Sequence, residues 1–376
     1  MKLLSWGANS YSQLGHGLKS EQCVVPLEVE SGDTSLKPSF IVTITGGGGH
    51  SLVLDRYGQV FGCGWNARGQ LGSSVNLDIL TFKQLEFLKD YDVQQIFCGW
   101  ESSLAITHSR EVFAWGSNAY CEIGTNKNKV KYSTEPIYIP VPDIQSISCG
   151  LRHTVFVSGA GQVYVCGTGR KGQLGLSAKD GSIQSEADKP IIVPGVNKVQ
   201  SIACGQHHTV AVTDSGQLYV WGDNRHGQLG LDPVSYPVIL SPVEIQPFSK
   251  EMLPTGCKVY CGWSHTVLVT EEGVVYNWGR NTYGQLGCYE YERPDPWKPT
   301  KLEGVCSVKQ MAVGSEHNVA LVDSGEVVSW GWNEHGNCGT GTEENVYHPT
   351  PVGIDGGYKT VLIGTGAGHS FALVEN

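Results

Sequence analysis

The chain has 376 residues, 40% of them hydrophobic, and carries a formal net charge of −10. An acidic balance without a concentrated basic tail disfavours DNA or nucleosome binding, which needs a phosphate-neutralising surface. No stretch approaches the roughly 18 to 20 apolar residues that cross a membrane, so no membrane insertion is expected.

The N-terminal Met1-Lys2-Leu3-Leu4-Ser5-Trp6-Gly7 is too short in its apolar part for a signal peptide and runs straight into a repeated motif. A cytoplasmic or nuclear location is therefore expected. The 49 glycines, with little helical periodicity, point to many short strands joined by tight turns.

In chain order, a Trp/Cys-Gly pair occurs at Trp6-Gly7, Cys63-Gly64, Trp115-Gly116, Cys166-Gly167, Trp221-Gly222, Trp278-Gly279 and Trp330-Gly331. Six residues after each glycine stands Gln-Leu-Gly or a relative, at Gln13, Gln70, Glu122, Gln173, Gln228, Gln285 and Asn337. A Gly-x-x-His motif ends at His50, His153, His208, His265, His317 and His369, with a degenerate copy from Gly99 to Ser102. From the His position to the next Trp/Cys-Gly glycine is always 14 residues. Length varies only between Gln-Leu-Gly and the following Gly-x-x-His, as expected of a repeated supersecondary unit.

Within the constant span the pattern reads strand, turn, strand. Turns such as Asp55-Arg56-Tyr57-Gly58, Asp214-Ser215-Gly216 and Asp323-Ser324-Gly325 combine an Asp that bonds back to its own backbone with a Gly free to take positive φ. Further strand is expected near Pro-apolar segments such as Pro136-Ile137-Tyr138-Ile139 in the variable connections. The chain opens on a Trp-Gly half-unit and closes on a Gly-x-x-His half-unit, Gly366 to Val374. Pairing Leu3-Leu4-Ser5-Trp6 with that last half closes a ring and removes its open edges. The expectation is a single all-β domain, a monomeric seven-bladed β-propeller over residues 1–376. Its units are 1–46, 47–98, 99–149, 150–204, 205–261, 262–313 and 314–365, and 366–376 completes the blade begun by the N-terminus.

The repeat histidines occur once per unit and cannot converge on one ion; part-buried rings bonded to backbone are expected. Cys98, Cys149, Cys204 and Cys261 precede the Gly-x-x-His glycine, and Cys63 and Cys166 replace the Trp. They read as small core hydrophobes, and without a Cys-x-x-Cys neither zinc nor disulfides are expected. Gly167-x-Gly169-x-x-Gly172 and Gly46 to Gly49 resemble phosphate loops, yet both fall on repeat positions outside any βαβ unit. No catalytic constellation is present, and no cofactor is expected.

Both ends of a hairpin lie on one side of the ring. The Gly-x-x-His loops that lead into each hairpin and the Trp/Cys-Gly loops that trail from it should therefore share a face. Trailing loops carry Tyr11, Trp65, Arg68, Tyr120, Arg170, Lys171, Arg225, His226, Arg280, Tyr283, Trp332, Glu334 and His335. Leading loops add Trp100, Glu101, Leu151, Arg152, His207 and Trp263. Aromatic and Arg side chains on loops of a rigid scaffold are the usual make-up of protein-binding hot spots. The competing reading is that Trp65, Trp100, Trp263 and Trp332 cap a central channel. Trp332, Glu334 and His335 depart furthest from the repeat and are the expected centre of partner binding.

The repeat resembles that of the regulator of chromosome condensation family of propellers over the whole chain. Trp6-Gly7-Ala8-Asn9-Ser10-Tyr11, Ile44 to Ser51, Cys98-Gly99-Trp100 and Ser329 to Gly336 are similar to its secretion-regulating guanine nucleotide exchange factor branch. The resemblance implies a non-enzymatic interaction propeller that acts on a small GTPase or on secretory machinery, with exchange as its only activity. Exchange-competent members use a wedge-like insertion, for which connections 15–47 and 230–262 are the candidates. The fungal counterpart of this branch implies an alternative, the partner of a small zinc protein in diphthamide synthesis and tRNA wobble-uridine modification.

Overall fold

A computed structural model describes every residue except 31, 34, 73–76, 179–180, 247–252, 290–295 and 355. The alternation of short apolar strands and Gly turns produces seven four-stranded antiparallel sheets, the blades of a propeller. Blade 3 shows the plan, with Ile144–Cys149, His153–Ser158, Val163–Thr168 and Glu186–Ile192 running from the axis outwards.

The constant 14-residue span is a hairpin register. In every blade the His (or Ser102) stands opposite the Trp/Cys-Gly glycine, as in His50↔Gly64, Ser102↔Gly116 and His208↔Gly222. That glycine takes positive φ in all seven copies. At Gly222, with φ 107°, a Cβ would lie 2.4 Å from the His207 carbonyl oxygen, so no side chain fits. Ring closure repeats the same register between the chain ends: Lys2–Ala8 pairs with His369–Glu375 and places Gly7 opposite His369.

The blades are offset by one strand from the repeat units. Val93–Cys98 falls at the end of unit 47–98, yet it pairs with Ser102–Thr107 as the inner strand of blade 2. In the long connections 15–47 and 230–262, the described strands Gln22–Glu28 and Val238–Ile245 are the outer strands of blades 7 and 4. Residues 31, 34 and 247–252 of those connections lie outside the described set.

The core consists of seven apolar slabs, each between neighbouring blades. Val155, Val165 and Leu174 of blade 3, for example, pack on Val199, Ala211 and Trp221 of blade 4. Where Cys63 replaces Trp, Phe82 fills the space: it packs near Gly15 with its ring centroid 6.2 Å from that of Phe371.

The histidines correct the expectation of part-buried rings bonded to backbone. All six are fully buried, and each Nε2 meets a Ser, Thr or Asn side chain of the next blade at 2.8–3.1 Å. That partner already donates to the carbonyl of the Gln-Leu-Gly position, as Ser103 does to Gln70 and the Asn318 amide to Gln285. Nε2–H is therefore the donor and Nδ1 carries the lone pair. Blade 2 lacks this latch because Ser102 is too short to reach across. The same Gln carbonyls accept the buried indole N–H groups, for example Trp221 on Gln173 at 3.0 Å.

Candidate interaction face

The trailing loops of blades 1, 2, 4, 5 and 7 are held by two side chains of the repeat, whereas blade 3 has Gly169 in place of the first and the Asn337 amide of blade 6 donates to the Trp332 carbonyl instead of accepting a backbone N–H. An Asn two residues after the Trp/Cys-Gly glycine accepts the backbone N–H of the Leu position, as in Asn66 to Leu71 and Asn224 to Leu229. The Gln accepts the N–H two residues before it: Gln13 from Tyr11, Gln70 from Arg68, Gln173 from Lys171, Gln228 from His226 and Gln285 from Tyr283. With its turn closed internally, the loop presents that residue's side chain outwards. In blade 2, Glu122 does the Gln's work, accepting from Tyr120 N–H and the Ser117 hydroxyl; burial raises its carboxyl above the usual range.

Leading and trailing loops do share a face. The residue after each Trp/Cys-Gly glycine donates its N–H to the residue before the repeat His, as in Trp65 to Gly49, Arg280 to Ser264 and Trp332 to Glu316. The leading loops are also stitched to one another, Trp263 N–H to Ser315 and Gly48 N–H to Trp100.

The four irregular tryptophans divide. Trp100 and Trp263, from blades 2 and 5, meet across the axis with ring centroids 5.4 Å apart at the mouth of a central channel of about 530 Å³. Cys98, Cys149, Cys204 and Cys261 line the same channel. Trp65 instead stacks on Tyr11 at 5.2 Å, and Trp332 lies edge-on to His335 at 5.4 Å. The Tyr11–Trp65 stack rests on Gly49, where a Cβ would come within 2.8 Å of the Tyr11 ring. Of the run Gly46 to Gly49, only Gly49 lies beneath this stack, while Gly48 lies against Trp100.

Trp332, Glu334 and His335 form a small cluster: the Trp332 indole donates to Glu334 at 3.2 Å. Part of its irregularity belongs to ring closure. His335 Nδ1 bonds Gln22 of the N-terminal segment at 3.2 Å, and a Cβ on Gly336 would lie 2.5 Å from Val24. The block is thus both a surface feature and a latch on the seam between chain ends.

The charged residues are unevenly spread. Arg152, Arg170, Lys171 and Arg225 gather on blades 3 and 4, whereas Arg68 stands exposed on blade 1. Arg225 is bound by Asp223 at 2.7 Å and 3.1 Å, and the Arg152 guanidinium lies 3.9 Å over the Tyr120 ring. Arg280 faces Glu316 at 3.4 Å. Glu316 is buried and accepts from Gln285 at 2.5 Å; burial pushes its carboxyl up to about 7, against the pull of Arg280 and Gln285. Sequence reasoning did not single out Glu316, although the Glu before His317 is its only signal.

Among the described residues no group of three or more His, Cys, Asp or Glu side chains is placed to hold a metal ion, and no helix is long and apolar enough to cross a membrane. Residues 2–372 match the family described as the RCC1-like domain. The chain is 35% identical to a secretion-regulating guanine nucleotide exchange factor of Bos taurus, over 99% of this chain and 83% of the relative. The Mus musculus protein of the same name is 34% identical with the same coverage. Among solved structures, Prp20p from Saccharomyces cerevisiae, described with its binding properties to Gsp1p and histones, superposes with a TM-score of 0.85 at 25% identity, covering 99% of this chain and 90% of that one.

Proposed function

The chain belongs to the RCC1-like family of β-propellers, and from that premise we propose that it docks a small GTPase on the face formed by its leading and trailing loops. The propeller contributes no covalent chemistry; its activity is to bind the GTPase and promote release of GDP. One observation carries this reading. Trp, Tyr and Arg side chains that break the repeat project from one face of a frame whose own polar residues are consumed in holding the loops. The class of partner comes from the mammalian relatives, which are named as guanine nucleotide exchange factors.

Fluorescent-GDP release across a panel of small GTPases tests it. The expected result is acceleration with at least one GTPase, reduced tenfold or more in the Trp332→Ala, His335→Ala double variant while the far-UV spectrum stays unchanged. No acceleration with any GTPase removes the exchange reading. If the chain instead co-purifies stably with a zinc-loaded small protein, the diphthamide and tRNA-modification alternative replaces it.

A further inference from the structure

We propose that the cationic sector of blades 3 and 4, built by Arg152, Lys171 and Arg225 around His207, docks an acidic peptide segment of a protein partner. This deepens the docking reading above and rests on it.

The sector is assembled by the frame. Gln173 holds Lys171 by its backbone, and its amide donates to His207 Nδ1 of the next blade at 3.4 Å. That bond leaves Nε2–H of the half-buried His207 as a donor. Arg152, Lys171 and Arg225 are close enough to act on the charge of this ring; burial is the largest cause and outweighs the opposing pull of Asp223, and the three cations add smaller pushes that help hold the ring below the usual His range. Only Arg225 has a carboxylate partner, Asp223; among the described residues no carboxylate lies within 4.0 Å of Arg152, Arg170 or Lys171. Like charges held together repel, and where Arg152 and Lys171 lack a carboxylate, a ligand's carboxylates relieve that repulsion through charge-assisted hydrogen bonds.

Charge complementarity selects the partner. The whole chain carries −10, so its long-range field opposes any polyanion and a ligand is held only by contacts inside the sector, which a short acidic segment fits and an extended nucleic acid overruns. A patch of three cations, two of them without a carboxylate partner among the described residues, suits the few clustered carboxylates of a peptide. The Trp100–Trp263 pair at the channel mouth offers an apolar contact on the same face.

The test is fluorescence anisotropy with a labelled ten-residue Glu/Asp peptide, set beside a single-stranded oligonucleotide of similar length. Expected is peptide binding at low salt that weakens at least tenfold in Arg152→Glu, Lys171→Glu. The same charge change outside the sector, Lys89→Glu with Lys309→Glu, should alter affinity less than threefold. No peptide binding, equal losses in both variants, or tighter binding of the oligonucleotide overturns the proposal. The probe needs no GTPase, so this result and the GDP-release result fail independently.

Discussion

At the scale of single residues, the face mixes groups held by the fold with groups left to a partner, and Glu316 belongs to the first kind. Its carboxyl is buried, with Arg280 and Gln285 as compensation. Because burial raises its folded pKa to about 7, above the ordinary 4.5, the folded state binds the extra proton between those values. The stability this contributes is fully present below pH 4.5 and is lost as pH rises through 7. Glu316→Gln should therefore be more stable than the parent by about 1–3 kcal/mol at pH 8, with the gain shrinking towards pH 5. Urea unfolding at the two pH values measures it, and a variant less stable at pH 8 contradicts the assignment. Glu316 was hidden in the sequence because a Glu in a leading loop looks solvent-exposed. Only the neighbouring trailing loops bury it.

At the scale of strands and blades, the Trp of the Trp/Cys-Gly pair is a repeated wedge between blades. The Cys63 copy shows that the packed volume there matters more than the identity of the residue. Cys63 leaves a void that Phe82 of the same blade's outer strand fills against Phe371. Phe82→Ala should cost about 3–5 kcal/mol. Adding Cys63→Trp to that variant should restore part of the loss, since a Trp at 63 matches the other blades and can donate to the Gln13 carbonyl that Cys63 Sγ now meets at 3.5 Å. Thermal unfolding of the single and double variants decides the point. A double variant less stable than Phe82→Ala would show that blade 1 cannot accept the common wedge. The motif spacing made the hairpins legible, but the substitution of Phe for Trp was not. The two residues are 19 positions apart, and their contact exists only once the outer strand is paired.

At the scale of the whole molecule, buried imidazoles tie six of the seven junctions between neighbouring blades. Burial holds His265 at about 4 and the other five at about 3, against an ordinary 6.5. A second proton would have to sit on Nδ1, which has no partner among the described residues. The unfolded chain therefore binds more protons between those values, and stability present above pH 6.5 falls as pH drops. One pH unit below 6.5 removes on the order of 1 kcal/mol per ring, so the six together weigh heavily against a usual total of about 5–15 kcal/mol. Acid unfolding followed by Trp fluorescence should have its midpoint near pH 5, well above the range in which carboxylates alone act. A midpoint below pH 4 would show that the rings do not bear on stability.

The sequence by itself determined the hairpin register, the seven-fold count, the closure of the ring through its termini and the face on which the irregular residues emerge. These follow from local backbone requirements, repeated at fixed spacing and readable one copy at a time. Only the tertiary structure decided what the repeated His does, because its partner lies some 53 residues away on the next blade. The same holds for the irregular block at Trp332 to His335, the starting point of the functional reading. Its contact with Gln22 joins residues 313 positions apart, so ring closure shares in its chemistry and its oddity is not wholly a binding signal. The cationic sector likewise became visible only when separate blades brought Arg152, Lys171 and Arg225 around one imidazole. Charge patterning along the chain cannot show it, since the field of such a cluster is a property of its geometry.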